Sequence, residues 1–262
     1  YQAGDALCMH NAATGRELTM PHTLTPTANK KTIVIVGAGP AGMEAARIAA
    51  ERGHKVTVLE ASSKEGGQLR LAAQTPRRKE LMSIVDWRMQ QCLKHHVSFE
   101  FNCWAEQADI LRHQPDVVII ATGGIPNTEV LSQGNDLVVS CWDILAGDVK
   151  PGKNVLIFDD AGDHPALQAA ELIAQSGAKL EIMTPDRSFA PEIMAMNLVP
   201  YMRSLQDLDV TFSVTYRVDK VERESGHLKA TLSSDYGVVN KHRIIDQVVV
   251  NHGTLPLEEL YF

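Results

Sequence analysis

The feature that most constrains this chain is a run of three glycines between an apolar strand and a helix. In the segment KTIVIVGAGPAG, apolar residues 33–36 are typical of a buried strand, and Gly37, Gly39 and Gly42 follow them. The first glycine permits a tight turn, the second lets the backbone approach a pyrophosphate, and the third allows close helix–strand packing. A helix beginning near Pro40 adds free N–H groups and the positive end of its dipole. The pattern predicts a Rossmann-type βαβ unit.

A single acid completes this pattern. Glu60 follows the next apolar strand, residues 55–59, and stands 18 residues beyond Gly42. An acid at about 20 residues from the glycines accepts hydrogen bonds from ribose hydroxyls. We therefore expect a dinucleotide or ADP-type ligand, held by the glycine loop, including Pro40 and Ala41, and by Glu60. The alternative is a Rossmann-like fold whose site holds no nucleotide.

Two further loops of the same unit are candidates for this site. Gly66 and Gly67 are adjacent, which opens backbone N–H groups to a phosphate, and Gln68 is a neutral donor beside them. The other loop follows the apolar strand 117–120, and the carboxyl ends of parallel strands line the ligand crevice. Its candidate residues are Ala121, Thr122 and Gly123. The alternative for residues 66–68 is an ordinary loop, and the alternative for residues 121–123 is a simple end of the strand without a role in binding.

Strand and helix patterns alternate along most of the chain, and the strands are continuously apolar, as in parallel sheets covered on both faces. We expect an α/β fold of two Rossmann-like dinucleotide-binding units with parallel sheets, the second carrying a β-meander. The strand patterns after the second unit's helices are 211–214, 217–223, 228–232 and 244–250. The expected domains are a connector over 1–30, a nucleotide-binding domain over 31–150 completed by 253–262, and a degenerate NAD(P)-binding-like domain over 151–252.

The second unit lacks the glycines of the first. Aligning the apolar strand 155–158 with 33–36 puts Asp159, Ala161 and His164 at the three glycine positions, and Thr184 at the position of the ribose acid. A carboxylate at the turn repels a pyrophosphate, and side chains block close approach of the backbone. We therefore expect a nucleotide-binding fold without nucleotide binding, although Arg187 is available for a 2′-phosphate.

His164 stands beside Asp160 and Asp163 at the predicted start of a helix. A metal site is one interpretation of this grouping. The favoured one is an N-terminal capping arrangement, since short acidic side chains commonly cap a helix start.

Composition excludes several classes of protein. The net charge of −7, without a basic stripe, argues against a nucleic-acid partner. No apolar run reaches the ~18 residues of a membrane span, so we expect no membrane partner and a cytoplasmic protein. The four cysteines form no CxxC pair, which excludes a thioredoxin-like pair and a complete metal site. The tryptophans, Trp87, Trp104 and Trp142, are expected to pack in the interior rather than stack on a ligand.

Together these motifs resemble the C-terminal part of the trimethylamine dehydrogenase and 2,4-dienoyl-CoA reductase family, multidomain relatives of old yellow enzyme. The resemblance covers essentially the whole chain. It is carried by VGAGPAG, by the GGQ of 66–68, by the ATGG of 121–124, by the CMHNA of 8–12 with the GRE of 15–17, and by VVNHGTLP at 249–256.

The resemblance implies cofactors and partners beyond this chain. In the family a barrel domain carries FMN and the substrate chemistry, followed by a [4Fe–4S] cluster whose fourth cysteine corresponds to Cys8. Three upstream ligands would then precede Tyr1, so Cys8 alone cannot hold the cluster. We interpret the chain as part of a longer, homo-oligomeric protein, with FAD or ADP in the first unit and no catalytic residue of its own.

The missing second-unit glycines favour one branch of the family over another. The reductases bind NADPH in the second unit, and this sequence departs from their pattern. The departure favours an amine dehydrogenase or N-demethylase that oxidises a secondary or tertiary methylamine and passes electrons to an electron-transfer flavoprotein. Two alternatives stay open: an NAD(P)H-dependent ene-reductase, and a non-catalytic module with structural ADP that docks an electron-transfer partner.

Overall fold

The structure is a computed structural model that describes residues 7–8, 10–20 and 22–261. It divides into two compact units, and each is described by itself. The first contains the described residues up to Arg70, residues 80–123 and residues 257–261; the second contains 71–79 and 124–256. The division at Gly123 precedes the boundary expected at residue 150, because residues 138–140 pair with the parallel sheet of the second unit.

A parallel sheet forms the first unit. Its strands are β1 (Thr32–Val36), β2 (Lys55–Leu59), β3 (Ser98–Glu100) and β4 (Val117–Ile120). They lie in the order β3-β2-β1-β4, and every pairing is parallel. The helices along this part of the chain are α1 (Pro40–Glu51), α2 (Gln68–Ala72), α3 (Met82–Lys94) and α4 (Gln107–Leu111), with a 3₁₀ turn at Lys79–Leu81 before α3.

The first unit buries apolar side chains on both faces of its sheet, and the larger cluster lies between the sheet, α1 and α3. Ile35 and Val58 on the central strands are fully buried. Met43 and Ala46 of α1 are three residues apart, face this sheet and are also fully buried. The small side chains of α1 let the helix lie close to the sheet, which places its N-terminus at the carboxyl end of β1.

The second unit contains three sheets. Its strands are β5 (Gly124–Pro126), β6 (Val138–Ser140), β7 (Asn154–Asp159), β8 (Lys179–Met183), β9 (Thr211–Ser213), β10 (Arg217–Glu224), β11 (His227–Ser233), β12 (Lys241–Ile245), β13 (Gln247–Asn251) and β14 (Thr254–Pro256). A parallel sheet has the order β6-β13-β7-β8-β9, and β10-β11-β12 form an antiparallel meander. Strands β5 and β14 pair antiparallel. The helices are α5 (Cys141–Ala146), α6 (His164–Gln175) and α7 (Ala195–Asp207).

The expected fold class is confirmed: both parallel sheets and the meander are present. The single strand expected at 244–250 is wrong, because β12 and β13 belong to different sheets. Asp246 separates them, and its carboxylate accepts from the Asn154 backbone N–H at 3.0 Å. The sequence does not predict the strands β5, β6 and β14 or the helices α2 and α5. Within the described ranges, no helix combines the length and the apolar character needed to cross a bilayer.

Candidate nucleotide site

The glycine loop after β1 touches the loop after β4. Gly37 has a φ of +106°, and a Cβ there would stand 2.3 Å from the carbonyl oxygen of Ala121. A Cβ on Gly42 would stand 1.9 Å from the carbonyl oxygen of Gly37. Both positions therefore require glycine for the fold itself, at a turn and at a helix–strand contact.

Gly39 differs from its two neighbours. A Cβ there would meet no protein atom within 4 Å, and its φ of −72° suits any residue. It is the N-cap of α1, where no side chain caps the helix and no acid lies in the first turn. The space beside Gly39 and the free N–H groups of α1 therefore fit a pyrophosphate, which needs close backbone approach and the positive end of a helix dipole.

The carboxylate of Glu60 is fixed beside this loop. The residue is 8% exposed; its Oε2 accepts from the Ala38 backbone N–H at 2.6 Å, and its Oε1 accepts from the Ser62 N–H at 2.8 Å. A carboxylate offers about four acceptor positions, so acceptor capacity remains for two ribose hydroxyls. The acid that the spacing singled out thus lies at the glycine loop.

A cleft of about 370 Å³ opens at the carboxyl ends of β1 and β2. Its lining includes Glu60, Glu106 and Glu259 and contains neither lysine nor arginine. Such a lining accepts ribose hydroxyls and repels a 2′-phosphate. Trp104 also lines the cleft and is 72% exposed, so the expectation that it packs in the interior is wrong.

The Gly66-Gly67 loop packs on the glycine loop. Gly66 N–H donates to the Ala38 carbonyl at 2.8 Å, and a Cβ on Gly67, whose φ is +50°, would stand 3.3 Å from the Cα of Gly39. The Gln68 side-chain nitrogen lies 3.6 Å from where a Cβ of Gly123 would stand.

The loop after β4 is tied to residues far along the chain. The Thr122 hydroxyl donates to the carbonyl oxygen of Leu257, and the Leu257 N–H donates to Gly123 at 3.0 Å. The structure thus brings together the first-unit residues singled out by the sequence. Sequence reasoning missed Trp104, Glu106, Leu257 and Glu259, which belong to no local motif.

The corresponding turn of the second unit is filled by the protein itself. Asp159 is 1% exposed, and its Oδ1 accepts from the Gly162 N–H and from Asn251 Nδ2, both at 2.9 Å. Burial, with a smaller contribution from the charge of Asp163, raises the pKa of this carboxyl to about 6, although its hydrogen bonds from Gly162 and Asn251 act in the opposite direction. Thr184, at the position of the ribose acid, is fully buried. The Asp159 carboxylate thus already accepts the hydrogen bond of the Gly162 N–H, which a bound phosphate would otherwise accept.

Asp163 does not cap α6, contrary to the capping expectation. It is the N-cap residue, yet no side-chain cap is made, and its Oδ1 accepts from Asn251 Nδ2 at 2.7 Å. Among the described residues no group of three or more His, Cys, Asp or Glu side chains is arranged to hold a metal, so the metal interpretation of His164 finds no support there.

A comparison with protein-family models matches residues 8–145 to the pyridine nucleotide-disulphide oxidoreductase model. That match covers more than half of the 262 residues. The chain belongs to this family. Because its members are oxidoreductases, the enzyme class expected from the motifs is confirmed, and the matched range contains the glycine loop, Glu60 and the residues after β4.

Two curated relatives place the chain more closely within the family. It is 67% identical to the probable N-methylproline demethylase of Rhizobium meliloti and 42% identical to the N,N-dimethylglycine/sarcosine dehydrogenase of Chromohalobacter salexigens. Each alignment covers 100% of this chain and 39% of the relative. The chain therefore spans about two fifths of the length of the curated relatives it matches. The resemblance to amine dehydrogenases and demethylases is confirmed.

A solved structure agrees with this placement. The 6-hydroxypseudooxynicotine amine oxidase of Pseudomonas geniculata N1 matches with a TM-score of 0.87 and 27% identity. The match covers 97% of this chain and 40% of that protein. The chain thus shares its fold with part of a further protein that is named for amine oxidation.

Cys8, the cysteine that the resemblance assigns to an iron–sulfur cluster, is not among the residues that line the cleft. Its side chain is exposed, and the backbone N–H groups of His10 and Asn11 lower the pKa of its thiol. Donors of this kind stabilise the thiolate, which is the form that binds iron. Cys8 therefore fits a single cluster ligand, and a [4Fe–4S] cluster needs further ligands from outside the described residues.

Proposed function

We propose that this chain is the adenine-nucleotide-binding part of a longer flavoprotein oxidoreductase that oxidises or demethylates a secondary or tertiary methylamine. The observation that carries the nucleotide assignment is that Glu60, which lines the open cleft with Gly37, is hydrogen-bonded to Ala38 of the glycine loop, next to Gly39 with its free space at the α1 N-terminus. The 67% identity to a probable N-methylproline demethylase supports the methylamine substrate class.

The residues of the first unit would hold FAD or ADP through its ADP moiety. The N–H groups of the first turn of α1 donate to the pyrophosphate, and Glu60 accepts from the ribose hydroxyls. Trp104 offers an exposed aromatic face to the adenine at the cleft. The acids of the lining favour an unphosphorylated ribose over the 2′-phosphate of NADP.

The second unit, in this proposal, binds no nicotinamide nucleotide. Asp159 blocks the turn with a side chain and occupies the Gly162 N–H. An NADPH-dependent ene-reductase needs this turn, so the blocked turn favours the amine-oxidising branch. Reduction of the flavin by the substrate amine then replaces reduction by NADPH.

The substrate chemistry is assigned to an FMN-carrying barrel elsewhere in the longer polypeptide, which the relatives' greater length accommodates. A [4Fe–4S] cluster, when bound, supplies one-electron transfer between that flavin and an acceptor, for which we propose an electron-transfer flavoprotein. In this chain Cys8 would act as one of its thiolate ligands, with the N–H groups of His10 and Asn11 supporting the negative sulfur.

Isothermal titration of the chain with ADP, FAD and NADPH tests the nucleotide assignments. We expect saturable binding of ADP or FAD and none of NADPH. The relative affinities of ADP and FAD identify which of the two the site prefers. Saturable NADPH binding by the parent chain would favour the ene-reductase instead. Absence of ADP and FAD binding by a folded chain would refute the assignment.

A further inference from the structure

One wall of the first-unit cleft comes from a short segment far along the chain, residues 257–260, which we call the strap. Three of its four residues line the cleft. The strap is tied to the loop after β4, because the Thr122 hydroxyl donates to the Leu257 carbonyl oxygen and the Leu257 N–H donates to the Gly123 carbonyl oxygen at 3.0 Å. The start of the strap is therefore fixed beside the glycine loop.

The other end of the strap is held by apolar packing. Leu260 packs against a buried cluster that includes Val36 and Leu59, the last residues of β1 and β2. Glu259 stands between the hydrogen-bonded Leu257 and the packed Leu260, and it lines the cleft. Two fixed points on the strap thus place the Glu259 side chain at the cleft.

The carboxylate of Glu259 is available to a ligand. It makes no hydrogen bond or ion pair with any residue that the structure describes. The two other acids of the lining are already engaged: Glu106 accepts from the Asp109 backbone N–H in the capping box of α4, and Glu60 accepts from two backbone N–H groups. Glu259 therefore keeps the whole acceptor capacity of a carboxylate, about four positions.

An adenine nucleotide offers one group that suits this carboxylate. In the proposed function the ribose hydroxyls donate to Glu60 and the phosphates lie at the N-terminus of α1, where a further carboxylate would repel them. The base remains for Glu259. The 6-amino group of adenine is a donor, whereas the 6-oxo group of guanine or hypoxanthine is an acceptor that a carboxylate repels.

We propose that Glu259 is the residue that makes this cleft specific for adenine, by accepting a hydrogen bond from the 6-amino group. Trp104 cannot provide this selection, since an aromatic ring stacks on every base. Thr122 is a positioning residue, which acts through Leu257 and the strap. The inference rests on the proposed function and adds to it the residue that distinguishes one purine from another.

Titration calorimetry with ADP and with inosine diphosphate, which carries a 6-oxo group in place of the 6-amino group, tests this specificity. The variant is Glu259→Gln, whose amide can either accept or donate. The control is Glu258→Gln, which changes an exposed neighbouring acid outside the cleft lining. In the parent chain we expect the Kd for inosine diphosphate to exceed that for ADP about 10-fold. The ratio should fall to about 2 or less in Glu259→Gln and stay unchanged in Glu258→Gln.

The role of Thr122 is tested by a pair of substitutions. Thr122→Val removes the hydroxyl bond to Leu257 and keeps the size of the side chain, so the strap loosens and the ratio of the two Kd values should fall. Thr122→Ser keeps the hydroxyl and should restore the ratio. A general loss of stability would weaken the binding of both nucleotides alike and would leave the ratio unchanged.

The outcomes separate this inference from the proposed function. Equal affinity of the parent chain for ADP and inosine diphosphate, or an unchanged ratio in Glu259→Gln, would overturn the role of Glu259, while ADP binding would still support the nucleotide site. Absence of ADP and FAD binding by the folded parent chain would refute both. Glu259 is exposed, so the glutamine variant is expected to fold like the parent chain.

Discussion

The carboxylate of Glu60 accepts a hydrogen bond from the backbone N–H of Ala38 at 2.6 Å, so the acid after β2 is tied to the glycine loop after β1. The ribose acceptor and the pyrophosphate cradle are therefore held in a fixed relation before any ligand arrives. A ligand that bridges them does not have to order these groups, which increases affinity.

Glu60→Gln tests the ribose interaction. The amide keeps the size of the side chain and one acceptor oxygen, but loses the charge and the other acceptor oxygen, which is half of the four acceptor positions. We expect the Kd for ADP to rise about 10- to 100-fold, since hydrogen bonds to charged groups contribute about 1.5–3 kcal/mol. Titration calorimetry measures it, with Glu80→Gln, an exposed acid outside the cleft, as the control. An equal loss of ADP affinity in Glu60→Gln and Glu80→Gln would exclude a specific contact between Glu60 and the ribose.

Two glycines of the same loop should respond differently to alanine. Gly39→Ala places a methyl group in open space, so we expect the free energy of unfolding to change by less than about 1 kcal/mol while ADP binding is lost. Gly42→Ala forces a Cβ to within 1.9 Å of the Gly37 carbonyl oxygen, so the fold should lose about 2 kcal/mol or more.

Urea unfolding and ADP titration of both variants check this contrast. Unchanged ADP affinity in Gly39→Ala would mean that no ligand approaches the backbone there. A Gly42→Ala variant as stable as the parent chain would mean that the helix shifts freely, and the role of that glycine in packing would be wrong.

The sequence alone locates only those residues of the candidate site that belong to a local motif. The glycine loop and Glu60 were predictable because turn geometry and helix packing restrict residue types over a short stretch. Trp104 and Leu257 could not be found in this way, because only the folded chain brings residues 104 and 257 to the cleft.

The same distinction applies to the fold. Continuous apolar runs predicted the parallel strands, whereas the division of 244–250 between two sheets depends on pairing partners that the run itself does not encode. The sequence alone shows that a carboxylate at Asp159 is unfavourable for a pyrophosphate. Its bond to Asn251, 92 residues away, depends on the pairing of β7 with β13 and was not predictable.

The four cysteines should react with iodoacetamide in an order set by exposure. Cys8 is exposed, Cys103 is partly buried, and Cys92 and Cys141 are fully buried. Burial also raises the pKa of Cys92 to about 11 and that of Cys141 well above its usual value, which suppresses their thiolates. Peptide mass spectrometry should find Cys8 alkylated first and Cys92 and Cys141 only after denaturation. Early labelling of Cys141 would contradict its burial.

The buried carboxyl of Asp159 should make stability depend on pH. Its pKa is about 6 in the folded chain, against an ordinary value of 3.8, chiefly because burial disfavours the charged form. Between these two pH values the folded chain retains a proton that the unfolded chain has released, so this group's contribution to stability falls as pH rises from about 4 to about 6. The loss amounts to about 3 kcal/mol at most.

Asp159→Asn removes the titration and keeps an acceptor oxygen for Gly162 and Asn251. We therefore expect the stability of the variant, relative to the parent chain, to increase by up to about 3 kcal/mol between pH 4 and pH 7. Comparing the two proteins at each pH cancels the contributions of the other titrating groups to stability. The cost of burying the amide nitrogen of the variant does not change with pH, so it does not affect the pH dependence of the difference. Urea unfolding at several pH values measures this difference. A difference that stays constant with pH would show that Asp159 is ionised in the folded chain above pH 4, because its hydrogen bonds to Gly162 and Asn251 then outweigh its burial.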